Sequence, residues 1–327
     1  MALAPLVAAL VRPFVPPSVR PRLAEKAYTA QALARGGPAT LAAVVQAWRP
    51  HMAASALVGA ALLATRRRNR LLAAGLAAVG LAAGAPVLRR AARESAAWPG
   101  AGDVTVLTAN VWHGHADTGA LAALVADERP DFVVLPEAGA DFRDKLMPLL
   151  AGLGYRAWVA SGGGPRDGDD VVLLVGERAG DVRVRPAGGM RVPHLEATGG
   201  ILGARTLYAV HPTAPMSRRS TAWWHDELEL IGSWCAGPVA PLVAGDFNAT
   251  LDHPGLRAAL GRCRSAADGS GRGLAGTFPA GFPRWLGIQI DHVLVPADAV
   301  TTRFDVLDLT GSDHRAVLAR VRLGGAS

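Results

Sequence analysis

Hydrophobic positions are laid out in two different ways along this chain. Up to about residue 100 they form long runs: Leu71 to Leu88 is eighteen residues without a charge, and Met52 to Ala64 is a shorter run of the same kind. From Asp103 onward they come as short β-branched runs separated by polar and glycine-containing segments. Val104–Thr108, Phe132–Leu135, Val171–Val175, Leu207–Val210, Leu242–Ala244, Ile290–Val295 and Ala316–Val321 predict strands. Helical spacing covers Thr118–Asp127, Asp141–Leu150 and Arg218–Trp234. Strands alternating with helices predict an α/β or α+β layered domain. Ser161 to Asp169, rich in glycine, predicts a mobile loop.

The long runs divide the chain. Eighteen uncharged residues come close to the ~20 that cross a hydrocarbon layer as a helix. Arg66-Arg67-Arg68-Asn69-Arg70 precede the run and Arg89-Arg90 follow it. Residues 39–93 therefore predict a transmembrane helical hairpin, although runs so rich in alanine and glycine also suit a soluble helical pair. Residues 1–38, with many prolines and arginines, predict an irregular or interfacial segment, 94–102 a linker, and 103–327 the folded domain. Met1 to Val11 lacks the basic start and cleavage site of a signal peptide. Arginines in the tight turn between the two runs belong on the cytoplasmic side, which places the folded domain outside the cell membrane. Arg89, Arg90 and Arg93 on the outer side run against that orientation.

The net charge of +7 would suit a nucleic-acid partner, but its distribution does not favour one. Residues 1–102 hold 13 Lys/Arg against 2 Asp/Glu, leaving 21 against 25 for residues 103–327. The basic excess belongs to the N-terminal region. The two cysteines, Cys235 and Cys263, lack the paired spacing of a zinc or thiol redox motif. Two free buried thiols is the simpler reading, with a disulfide open if the domain faces an oxidising compartment.

Polar residues at the predicted strand ends carry the candidate chemistry. The first strand runs into Asn110, and the second into Leu135-Pro136-Glu137, a hard oxygen donor at a sheet rim suited to Mg²⁺ or Mn²⁺. Leu207–Val210 leads to His211-Pro212. Pro241-Leu242-Val243-Ala244-Gly245-Asp246-Phe247-Asn248 delivers an acid and an amide two residues apart, on one side if the extended geometry continues, with Phe247 turned into the core. Ile290-Asp291-His292 and Ser312-Asp313-His314 are acid–histidine pairs beside strands. Each alone occurs by chance in many proteins, and their order together does not.

In that order, Asn110, Glu137, His211, Gly245-Asp246-Phe247-Asn248, Ile290-Asp291-His292 and Ser312-Asp313-His314 resemble the motifs of the endonuclease/exonuclease/phosphatase superfamily. That group includes pancreatic-type DNases, abasic-site endonucleases, neutral sphingomyelinases and inositol-polyphosphate 5-phosphatases. The resemblance covers about Asp103 to Leu323. It implies a four-layer α/β (α+β) sandwich, two mixed β-sheets packed face to face with helices outside, and a site at one edge. It further implies Glu137 as principal metal ligand with Asn110 and Asp313 near the metal, and Asp246 orienting or deprotonating the attacking water. Asn248 and His211 would contact the phosphate, His314 would pair with Asp291, and Phe278, in a region where relatives carry a substrate-side aromatic, would line the pocket or belong to the core. Pro136 stands where relatives often carry glutamine, and no long basic insertion of the kind that grips DNA is present.

The expected activity is Mg²⁺- or Mn²⁺-dependent hydrolysis of a phosphoester in a lipid, nucleic acid or small molecule, by a domain held at a membrane. The alternative is an inactive, membrane-anchored binding module with the same fold. The complete set of acids, amides and histidines argues against it.

Overall fold

The computed structural model describes residues 36–92, 98, 100–163 and 167–324. Most of the segment expected to be irregular or interfacial, part of the linker, and the centre of the glycine-rich loop lie outside those residues. Three helices lead in: α1 (Pro38–Ala47), α2 (Arg49–Ala64) and α3 (Arg70–Ala91). α2 and α3 pack against each other so closely that a Cβ at Gly80 would fall 2.8 Å from Leu57, and one at Gly59 would fall 3.1 Å from Leu76. Glycine is what lets the two backbones approach.

α1 lies within the stretch expected to be hairpin, yet it belongs to the folded domain. Pro50, in the first turn of α2, has no N–H to continue an existing helix, so the apolar segment breaks at Trp48. α1 docks through a hydrogen bond between the Thr40 and Thr221 hydroxyls (2.8 Å), and its Ala43 carbonyl accepts from His253 Nε2 at 2.8 Å.

Next in the chain come β1 (Val104–Thr108), α4 (Thr118–Glu128), β2 (Phe132–Pro136), α5 (Ala140–Leu146), β3 (Arg156–Ser161) and β4 (Asp170–Val175). β5 (Val182–Ala187), β6 (His194–Gly199), β7 (Thr206–Val210), α6 (Arg218–Cys235), β8 (Leu242–Asp246) and α7 (Pro254–Ala259) follow. The chain ends in β9 (Cys263–Ser265), β10 (Asp291–Pro296), β11 (Val300–Leu307) and β12 (Ala316–Arg322).

They build two mixed sheets, ordered β11-β12-β1-β2-β4-β3 and β5-β6-β7-β8-β10-β9. Each has one parallel pair near its centre, β1 with β2 and β7 with β8, and antiparallel neighbours elsewhere. Alternate residues of the central strands face opposite ways, so each sheet buries both faces. Val106, Phe132, Val134 and Leu173 meet Leu195, Leu207, Leu242 and Val293 between the sheets. Leu107, Val133 and Leu174 lie under Leu121 and Val125 of α4 and Phe142 of α5. Val210, Val243 and Leu294 lie under Trp224, Leu228 and Ile231 of α6. The result is the helix–sheet–sheet–helix sandwich expected from the motifs.

Cys235, at the end of α6, is disulfide-bonded to Cys263 at the start of β9, with Cα atoms 5.6 Å apart. This corrects the simpler expectation of two free thiols. The chain turns back between α6 and β9, Arg262 N donating to the Cys235 carbonyl at 2.9 Å, and so brings together two residues that sequence spacing kept apart.

Candidate active site

Parallel pairing decides where the site forms. β1 and β2 in one sheet, and β7 and β8 in the other, end at the same rim, which carries Asn110, Glu137, His211 and Asp246 to one place. β10 runs antiparallel to β8, so its first residue, Asp291, sits directly opposite Asp246 in the ladder. Gly245 is required where β8 passes β7, because a Cβ there would lie 1.9 Å from the Val210 carbonyl oxygen.

The turns beyond the strands aim the side chains. Glu137 has a left-handed backbone (φ 60°), fixed by its N–H donating to the Asp170 carbonyl at 3.0 Å. Asn248 is also left-handed (φ 48°), so the extended geometry ends at Asp246 and strand alternation does not place the amide. Instead Asn248 N donates to Asp246 Oδ1 at 2.8 Å, and Asn248 Nδ2 to the Pro212 carbonyl at 3.0 Å. Phe247 between them is buried as expected, its carbonyl accepting from Trp224 Nε1 of α6.

Asn110 ties the two sheets together. Its Oδ1 accepts from Trp112 N at 2.8 Å, which fixes the amide orientation, and its Nδ2 donates to both Glu137 Oε1 (3.1 Å) and Asp246 Oδ2 (3.0 Å). Opposite them, His314 Nδ1 lies 2.9 Å from Asp291 Oδ2, and His314 Nε2 lies 3.8 Å from Asp246 Oδ2. His211 Nε2 stands 3.9 Å from both Glu137 Oε1 and Asp246 Oδ2. All these groups are buried, and Glu137, His211, Asp246, Asn248 and His314 line a cavity of about 310 Å³.

The electrostatics follow from that crowding. Burial, with the charge of Asp291 added, raises the Asp246 carboxyl to about 7, against the opposing pull of His314 and the amides of Asn248 and Asn110. Burial opposes charge on His314, but Asp291, Asp246 and Asp313 outweigh it and hold the imidazolium up to about 10. Asp246, Asp291 and His314 present ligand atoms within 4.8 Å of one another. Glu137, Asp246, Asp291 and Asp313 thus put several buried carboxylates against the charge of His314.

The family model described as the Endonuclease/Exonuclease/phosphatase family matches residues 107–314, well over half of the chain. The chain belongs to that family. Its members include phosphatases and nucleases, so the protein is a phosphoester hydrolase. Such enzymes generally depend on a divalent metal, and the buried Asp246, Asp291 and His314 cluster offers possible ligand atoms at this site.

Solved structures share the fold. An endonuclease/exonuclease/phosphatase from Beutenbergia cavernae is 21% identical over 68% of this chain and 72% of its own, with a TM-score of 0.53. A mannosyl-6-phosphatase from Bacteroides thetaiotaomicron is 14% identical over 67% of this chain and 100% of its own, with a TM-score of 0.51. A humanized D. rerio TDP2 is 14% identical over 68% and 100%, with a TM-score of 0.53. No protein among those with curated functions matches.

Of the residues singled out in the sequence, Glu137, His211, Asp246, Asn248, Phe278 and His314 line the cavity. Asn110 and Asp291 stand behind that lining, and the Phe278 ring centre lies 4.9 Å from that of His314. Asp313 is buried beside His314 and does not line the cavity. His292 points the other way, its Nε2 donating to the Ala249 carbonyl at 2.8 Å.

Several lining residues escaped the sequence reading. His113 N donates to Glu137 Oε2 at 2.9 Å and its Nδ1 lies 3.2 Å from the same oxygen. The run Val111-Trp112-His113-Gly114-His115 directly after Asn110 was the available signal. Arg191, stacked on Trp223 at 5.1 Å, supplies the one guanidinium among the described lining residues, and no local pattern marks it. Ser312 acts through the backbone: its Oγ donates to the Asn110 carbonyl at 2.6 Å and accepts from His314 N at 3.0 Å, fixing the motif against β1.

Proposed function

We propose that the protein is a Mg²⁺- or Mn²⁺-dependent phosphoesterase held at a membrane by α2 and α3, with the catalytic domain on the extracytoplasmic side. The observation that carries the catalytic reading is the bridge from Glu137 through Asn110 to Asp246, facing the His314–Asp291 pair across one cavity. Glu137 is the principal ligand in this reading, with Asn110 and Asp313 near the ion. A bound divalent cation supplies charge for the phosphoryl oxygens. Asp246, poised near neutrality by burial, accepts the proton of the attacking water. Asn248 and His211 orient the phosphate, and the His314 imidazolium stabilises charge on the phosphorus-bound oxygens or donates to the leaving group.

Exposure of apolar side chains supports the membrane reading. Among the described residues, one helical stretch, Arg67–Leu88, is long and apolar enough to cross a bilayer, with a mean hydropathy of 2.1 and 17% of its apolar window buried. Val58, Leu62, Leu71, Val79 and Leu81 are all more than half exposed, a surface that water does not favour. Arg90, one of the arginines set against the outward orientation, is paired with Asp252 and so contributes little free charge. A disulfide suits an oxidising compartment outside the cytoplasm.

The test is hydrolysis of bis(p-nitrophenyl) phosphate by the full-length protein. Chelation by EDTA should abolish it and Mg²⁺ or Mn²⁺ should restore it. Partners one step removed from metal ligands are typically worth ~10–10²-fold, so Glu137→Gln should cost at least ~10²-fold. A rate unaffected by chelation would overturn the assignment.

A further inference from the structure

The first N-terminal helix forms part of the cavity. Ala47, the last residue of α1, lines the same cavity as Glu137, Asp246 and His314. It is buried in one apolar cluster with Ile288, Ile290, Phe278 and Trp48. α2 begins at the residue after Trp48, so the chain passes from the apolar wall of the site through Arg49-Pro50-His51 into the helical pair with the exposed apolar surface.

A second observation lies at the same place. The segment between Phe278 and Ile288, which pair as an isolated β-bridge, carries Trp285, 73% exposed. The Trp285 carbonyl accepts from His51 Nε2 at 3.1 Å, which holds this indole beside the first turn of α2. Arg49 and Arg90, at the same end of the helical pair, are both turned onto Asp252 of the domain. An exposed tryptophan where an apolar helical pair meets a polar domain matches the interfacial aromatic belt of membrane proteins.

We infer that the substrate is a phosphoester carried by a membrane amphiphile. Its phosphate occupies the cavity, its apolar part lies along Ala47, Phe278 and Ile288 toward α2, and Trp285 seats the rim in the lipid interface. This rests on the phosphoesterase reading and on α2 and α3 lying in a bilayer. In the reaction a water oxygen bonds to phosphorus, one ester P–O bond breaks, and the proton released by water ends on the leaving oxygen. No further reactant is required.

The test compares two chromogenic diesters with the same reacting group, p-nitrophenyl hexadecyl phosphate in phosphatidylcholine vesicles and soluble p-nitrophenyl methyl phosphate, using the full-length protein with Mn²⁺. The long ester shares the vesicle with α2 and α3, which concentrates it at the site, so it should show ~10²-fold higher kcat/KM than the methyl ester. Trp285→Ala, an exposed position, should lower kcat/KM for the hexadecyl ester about tenfold and leave the methyl ester unchanged. Ala47→Leu, which thickens the wall, should shrink the preference for the long ester. Equal rates on the two esters, or a hexadecyl preference untouched by both substitutions, would overturn the amphiphile assignment and leave the phosphoesterase reading standing. Hydrolysis of neither ester would overturn both.

Discussion

Asp291→Asn separates the charge of the His314–Asp291 pair from its geometry, because an asparagine oxygen can still accept from His314 Nδ1. In the parent, His314 is raised from 6.5 to about 10 against the opposing effect of burial, with Asp291 the leading cause of the rise. At 1.36 kcal/mol per unit, that is ~5 kcal/mol in favour of the imidazolium. Without the Asp291 charge, burial is opposed by Asp246, Asp313 and the retained hydrogen bond, so the proton should leave at a lower pH. The parent kcat should therefore hold to a higher pH than kcat of Asp291→Asn, whose loss should set in at lower pH. At about pH 8 the loss should be ~10²-fold, the usual worth of a positioned acid–base group. Stability carries the same signature. A folded pKa above the unfolded value gives stability that is full below about 6.5 and lost as pH rises through about 10, so this alkaline limb should flatten in the variant. A folded Asp291→Asn protein whose kcat–pH profile superimposes on that of the parent would refute the reasoning.

Three further outcomes follow. His292 is held down to about 4 by burial, so as pH falls from 6.5 the unfolded chain protonates first and stability should drop by ~3 kcal/mol by about pH 4; unfolding of His292→Gln at neutral and acid pH should show a smaller drop, and an equal drop would refute it. The disulfide closes a sequence separation of 28, so Cys235→Ser should cost about 3–4 kcal/mol in denaturant unfolding, and an unchanged midpoint would contradict its structural role. Protease added to intact cells should remove the domain after Trp98; protection, with the outer face accessible, would place catalysis in the cytoplasm.

The buried centre of each sheet was legible because its strands are nearly continuous apolar runs: β1, β2, β4, β7, β8, β10 and β12 match their predicted positions within a residue or two. β3, β5, β9 and β11 were not predicted, and all four are sheet edges. An edge strand buries one face or less, and β11 shows it in the alternation of buried Thr302, Phe304 and Val306 with less buried neighbours. That period of two was a usable signal. β6 is interior, but His194-Leu195-Glu196-Ala197-Thr198-Gly199 holds a single β-branched residue. The candidate site was legible wherever a motif adjoined a buried strand. Arg191, His113 and Ala47 were not, because turns and a docked helix bring them in, and no periodicity records which surfaces a helix will meet.

Backbone strain explains why the aim of the motif residues escaped prediction even where their identity did not. Among the described residues, five that are not glycine have a left-handed backbone, and four of them, Trp112, His113, Glu137 and Asn248, belong to the site or its adjoining turn. Such conformations cost of order 1–3 kcal/mol each and persist only where the surroundings over-determine them. Here the surroundings are explicit: Glu137 is pinned by the β4 backbone, Asn248 by Asp246 and the Pro212 carbonyl, and His113 by Glu137. Each strained turn therefore makes its hydrogen bonds with the carboxylate it serves or with the strand beside it. The same contacts that hold the strain hold the acids in place before substrate arrives, so little reorganisation remains for the moment of phosphoryl transfer.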